Sequence, residues 1–116
     1  MVAVVPSEIR ERVDLTEVDV PDATVLRFAK TAAVTVGLEI EKTVDYTNCS
    51  EEEAEAIRNI AAVYCKCKAS GGSFSGLNFR IGDLAVDESD EENLHFLMNE
   101  AQRIIDKLRA LHVGSA

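Results

Sequence analysis

The apolar residues of this chain recur at helical spacing in four stretches and at strand spacing in one. Pro6-Ser7-Glu8 is a helix-start signal with Ser7 as the expected N-cap, and Ile9 and Val13, with Leu15, give a short apolar edge. Residues 16–20 read as a polar connector carrying Glu17 and Asp19. Pro21-Asp22 opens a second helix, since proline suits a first turn and aspartate complements the helix dipole there. Its face is Val25, Leu26, Ala29, Ala32, Ala33 and Val36, widened by Phe28 and Leu38 and weakened at the far end by Gly37. Residues 38–41 alternate, so this end either frays or extends, and residues 44–49 read as a loop.

Ser50-Glu51-Glu52-Glu53 has the form of a capping box, in which Ser50 caps and Glu53 reaches back. The helix behind it carries Ala54, Ile57, Ile60, Ala61, Tyr64 and Cys65 on one face, with Lys66 and Lys68 near its C-terminal end and Gly71-Gly72 as its stop. The period then changes to two: Leu77, Phe79 and Ile81, a Gly82-Asp83 turn, then Leu84 and Val86 predict a β-hairpin or a single bent strand. Ser89-Asp90-Glu91-Glu92 is a second capping box, and Leu94, Leu97, Met98, Ala101, Ile104, Ile105, Leu108 and Leu111 then trace one apolar stripe that ends near residues 112–114. The fold class this predicts is mainly α: a small four-helix domain with a short β-hairpin between helices 3 and 4, one domain over residues 1–116.

Composition narrows the function. A hydrophobic fraction of 47% with 28% charged residues describes a globular chain, and the 5% aromatic content leaves the core to Val, Ile, Leu and Ala. The net charge of -9 disfavours a protein that grips nucleic acid through phosphates or docks on anionic lipid. Met1–Val5 is too short and lacks the basic leader of a signal peptide, no run reaches the ~20 apolar residues of a membrane span, and three cysteines fit a reducing, intracellular setting.

Candidate chemistry is thin. The acidic runs 87–92 and 51–55 lack the spacing and the glycine of an EF-hand loop, and both sit where a helix start favours carboxylates. Cys65 and Cys67 lie two apart, on nearly opposite sides of a helix, so they do not converge on one metal; only His95 and His112 could supplement them, and Cys65 reads as a buried, inert thiol. No Ser or Cys sits in a nucleophile elbow, and the Gly/Ser-rich residues 71–76 lack the Lys-Ser/Thr ending of a P-loop. No cofactor, metal or enzymatic activity is expected. The hairpin weighs more: a two-stranded element is marginal alone, so Phe74, Leu77, Phe79, Ile81, Leu84 and Val86 either cover the domain's own core or complete a sheet with a neighbouring copy.

The order of elements resembles the small head–tail connector (adaptor) proteins of tailed phages and related prophages. The resemblance rests on Asp19-Val20-Pro21-Asp22-Ala23-Thr24-Val25-Leu26 leading into a long helix, on residues 57–64 (I-R-N-I-A-A-V-Y) of a capped helix, on the I-G-D-L-A-V segment at residues 81–86, and on a long closing helix; it spans roughly residues 6–111. No single motif is specific, only their order and spacing, and Cys49, Cys65 and Cys67 match no part of that pattern. The resemblance implies a ring of copies, commonly a dodecamer, beneath the portal of a DNA-filled capsid at the head–tail junction of a virion, made in the host cytoplasm. Its partners would be itself, the portal protein and the next tail or head-closure protein, with DNA passing through unbound and no membrane contact. Residues 73–86 would match the region that meets neighbouring subunits or the next ring, and Leu108, Leu111, His112 and Val113 the portal-docking end. A DNA channel should not capture phosphate, and the net charge of -9 agrees with that requirement. A head-closure or tail-completion protein, a small cytosolic helical regulator that binds one partner, and a thiol- or metal-dependent enzyme are the competing readings.

Overall fold

The computed structural model describes residues 1–69 and 88–114, with side chains described for residues 92–111 of the last helix. Four helices follow in order: α1 (Pro6–Glu11), α2 (Asp22–Ile40), α3 (Glu51–Ala69) and α4 (Glu88–Gly114). No strand occurs among the described residues beyond an isolated antiparallel bridge, so the mainly helical architecture stands; the hairpin expected over residues 77–86 lies outside the described residues.

α3 is the axis of the domain, packed by α1, α2 and α4. The sequence pattern gave it one apolar face, but it is enclosed nearly all round: Ala56, Ala62, Val63 and Cys67 are buried along with Ala54, Ile57, Ile60, Ala61, Tyr64 and Cys65. Small residues make this possible, because alanines let neighbouring backbones approach while Ile57 and Ile60 fill the gaps between them. Each fully buried Ile side chain contributes about 1.5–3 kcal/mol of transfer free energy. The capping box forms as expected: the Glu53 N–H donates to Ser50 Oγ (3.1 Å) and the Ser50 N–H donates to Glu53 Oε1 (2.9 Å).

The other helix starts differ in detail. Proline occupies the first helical position of α1, so Val5 takes the N-cap place and Ser7 lies inside the helix; no side chain caps this end. Pro21 is the N-cap of α2, its carbonyl accepting from the N–H groups of Thr24 and Val25. α4 begins at Glu88, which puts Ser89 within the first turn instead of ahead of it. The α2 terminus extends instead of fraying: Glu41 adopts a left-handed conformation (φ 58°), and the N–H groups of Glu41 and Lys42 both close on the Gly37 carbonyl. Gly37 is therefore no weak point. A Cβ there would stand 2.5 Å from the Lys42 carbonyl oxygen, so only glycine admits this close return of the chain.

The core runs from Val4, Ile9, Val13 and Val20 through the α2 and α3 faces to Leu94, Leu97, Ala101 and Ile105 of α4. Phe28 and Tyr64 meet edge-on with ring centroids 5.9 Å apart. Leu38, placed on the α2 core face by its pattern, is 63% exposed. The loop over residues 44–49 is pinned by the N-terminal segment: the Val2 and Cys49 N–H groups exchange bonds with each other's carbonyls, and the Val4 N–H donates to the Tyr46 carbonyl.

Candidate docking surface

The α4 stripe is a core element over its first half and a surface over its second. Leu94, Leu97, Ala101 and Ile105 are buried, Ile104 and Leu108 half-buried, and Leu111 is 63% exposed. Exposure thus rises toward the C-terminal turns of α4, although Arg109 still reaches the Glu39 carbonyl at the end of α2. Ile104, Leu108 and Leu111, with Arg103, Lys107 and the Glu52 side chain from the start of α3, line a groove of about 190 Å³. An apolar floor between two cations and one carboxylate suits a partner segment with apolar anchors and acidic flanks. Of the residues expected at a portal contact, Leu108 and Leu111 thus share one groove, and His112 and Val113 continue the same helix. The expected subunit-contact residues Phe74, Leu77, Phe79, Ile81, Leu84 and Val86 lie outside the described residues.

Two further apolar exposures were not anticipated. Val34 and Leu38 stand on the outer side of α2, beside a shallow groove of about 510 Å³ that Gly37, Glu41, Lys42 and Val44 also line. Phe96 is 60% exposed on α4. Helical periodicity was the available signal: Val34 falls opposite Val25, Ala29 and Val36, and Phe96 falls opposite Ala101 and Ile105.

Polar residues assemble on the α1–α3 side. Arg58 is buried to 6% exposure, with Glu8 (3.3 Å), Glu51 (3.4 Å) and Glu55 (3.2 Å) around its guanidinium. Arg12 grips Glu55 through two bonds and also donates to Asn59 Oδ1 at 2.6 Å. Arg10, likewise buried, donates from Nε to the Val20 carbonyl (2.9 Å) and pairs with Asp22, which ties α1 to the start of α2. The Arg12 hydrogen bonds, working against burial and aided by Arg58, hold the Glu55 carboxyl below its ordinary range. Burial pushes Glu53 up, but bonds from Lys42 and Ser50 outweigh it and the carboxyl lies low. Arg58 is raised: burial opposes its charge, and Glu8, Glu55 and Glu51 more than compensate. Every charge here has partners within the domain, so the cluster works as a clasp between helices.

All three cysteines are buried free thiols. Burial pushes Cys65 up to about 12, and burial with the neighbouring Cys65 pushes Cys67 up to about 12. Among the described residues, no group of three His, Cys, Asp or Glu side chains is placed to hold a metal ion, and no helix is long and apolar enough to cross a membrane. Comparison with known proteins finds no matching family model, no similar curated protein and no similar solved structure.

Proposed function

We propose that this chain is a head–tail connector (adaptor) subunit: a structural protein that assembles as a ring beneath a viral portal, extends the DNA channel and links capsid to tail. The observation that carries the reading is the C-terminal half of α4, a long closing helix whose apolar stripe leaves the core and ends in the groove of Ile104, Leu108 and Leu111. A helix that keeps its apolar period after its own domain stops covering it has a surface to offer another chain. The order of elements supports the same reading. α2 opens after Pro21, α3 carries residues 57–64 at its buried centre, and α4 closes the domain, in the sequence that the connector resemblance requires. A net charge of -9 suits a channel wall that DNA must pass without sticking.

The test is native mass and negative-stain imaging of the purified protein over a concentration series, alone and with a portal ring. Closed rings, or capture on the portal that Leu111→Asp abolishes, support the connector. A dimer at all concentrations that ignores the portal refutes it and favours the small protein-binding regulator. Binding to a preformed connector in place of the portal marks a head-closure protein.

A further inference from the structure

The exposed flanks of α2 and α4 are complementary to each other and face away from each other within one copy. On α2 the outward residues are Lys30, Val34 and Leu38, followed by the C-cap Glu41; on α4 they are Glu92, Phe96 and Arg103, with the half-buried Glu100 paired to Arg103 (2.8 Å). Glu39 shows where α4 lies, because its carboxylate and carbonyl both receive Arg109. At about 100° per residue, Lys30, Val34 and Glu41 stand roughly 140–180° around α2 from Glu39, and Glu92, Phe96 and Arg103 stand roughly 100–140° around α4 from Arg109. The two lines are therefore on opposite flanks of the domain. Lys30 and Glu92 have no ion-pair partner among the described residues.

We infer that a second copy of this chain docks head-to-tail here, laying its Glu92–Phe96–Arg103 line along the Lys30–Val34–Glu41 line of α2. This rests on the ring reading above and says which faces meet. Charge selects the direction. With the helices parallel, one register sets Glu92 against Lys30, Phe96 against Val34 and Arg103 against Glu41; it also brings Glu100, whose charge Arg103 already meets, beside Leu38. Reversing the incoming helix sets Glu92 against Glu41 and Arg103 against Lys30, which places like charges together at both ends. In the parallel register the Phe96 ring enters the groove that Val34, Gly37 and Leu38 line.

Symmetry agrees with this direction. Within one copy α2 and α4 already run parallel: their starts both lie at the end of α1, where Asp22 pairs with Arg10 and Asn93 donates to the Arg12 carbonyl, and their far ends meet at Glu39 and Arg109. A rotation about an axis along the helices preserves that sense, so α2 of one copy and α4 of the next are parallel in a cyclic assembly. A two-fold axis across the helices would make them antiparallel. The contact is therefore heterologous, as a ring requires, and not the self-complementary patch of a dimer. A single helix-on-helix contact is small, so open pairs are weak and closure provides the stability.

Paired cysteines read the contact directly, because the native thiols are buried. Lys30→Cys and Glu92→Cys are introduced singly and together, and the proteins are mildly oxidised over a concentration series. The double variant should give a ladder of disulfide-linked multimers on a non-reducing gel, and the mixture of single variants a linked dimer. Charge exchange gives the second readout: Lys30→Glu or Glu92→Lys alone weakens association by roughly fivefold to tenfold, and the two together restore it. Absence of the ladder, cross-linking of Lys30→Cys alone as fast as the mixture, or failure of the exchange to restore association overturns the inference. Rings without 30–92 cross-links would leave the connector reading standing and this contact wrong. A 30–92 ladder from a protein that ignores the portal would do the reverse.

Discussion

Arg12 and Glu55 are joined by two parallel hydrogen bonds, Nη1 to Oε2 and Nη2 to Oε1, each 2.8 Å long. This fork-to-fork pair is the main polar link between the end of α1 and α3, and it shares Glu55 with the buried Arg58. Both partners of the pair are partly exposed, so solvent screening keeps its own worth near 1 kcal/mol. Removing Glu55 does more than removing Arg12, because it also strips one of the three carboxylates from the guanidinium of Arg58, whose side chain is only 7% exposed. Glu55→Ala should cost about 2 kcal/mol and Arg12→Ala about 1 kcal/mol, with a non-additive double variant. Urea unfolding of the four proteins checks this, and equal, additive losses would show that Arg58 does not depend on Glu55.

The same clasp makes the domain acid-labile. Glu55 and Glu53 both titrate below their ordinary values in the folded protein. Their contribution is therefore complete above the unfolded glutamate pKa of about 4.3 and drains away as the pH falls through the lower folded values. The urea midpoint should stay level from pH 7 to about 5.5 and fall steeply below about 4.5. Glu55→Gln should start lower at neutral pH and fall less on acidification. A variant and a native curve that run parallel down to pH 3 would mean that Glu55 carries none of the acid sensitivity.

The main helices were legible because each carries a period and an end signal: Pro21-Asp22 for α2, the Ser50/Glu53 box for α3 and the unbroken stripe from Leu94 for α4. What escaped was decided by tertiary context. The 3.6-residue period assigns one apolar face, yet α3 is covered nearly all round, and nothing local distinguishes Ala56 or Ala62 on a surface from the same residues beneath another helix. Leu38 looked like core because it is leucine at nearly the right angle, but the chain returns across Gly37 and leaves Leu38 outside. Ser7 looked like a cap, but Pro6 needs only a preceding extended residue to start α1, and Val5 provides it. Of the candidate docking residues, Leu108 and Leu111 were visible as the end of a stripe; the groove that Glu52 closes against them was not, because it joins residues far apart in sequence.

Gly37 offers a direct test of the close turn after α2. In an open helix, Gly→Ala gains up to about 1 kcal/mol from helix propensity. Here the added methyl would meet the Lys42 carbonyl oxygen at 2.5 Å, and that atom belongs to the backbone that completes the helix cap. The strain should outweigh the gain, so Gly37→Ala is expected to lose about 1–3 kcal/mol. Ala32→Gly, in the middle of the same helix, serves as the reference for simple propensity and packing loss. A Gly37→Ala protein that melts higher than the native one would show that residues 41–44 can move away at little cost.

The cysteines give the sharpest chemical prediction. A thiol reacts as its thiolate, so both access and acidity control it. Cys65 and Cys67 fail on both counts: each is fully buried on α3, and each is pushed up to about 12, mainly by burial. Cys49 is also buried and raised, first by burial and then by the negative charge of Glu53. At pH 8 a maleimide or a disulfide reagent should therefore label none of the three in the folded protein on a timescale of minutes, and all three at once in denaturant. Because Cys49 lies in the loop pinned by Val2, while Cys65 and Cys67 lie in the central helix, native-state labelling in low urea should reach Cys49 first, through local release of the N-terminal segment. Prompt labelling of Cys65 or Cys67 in native buffer would mean that α3 is not the enclosed axis of the domain, and it would reopen the thiol-dependent reading that its burial opposes.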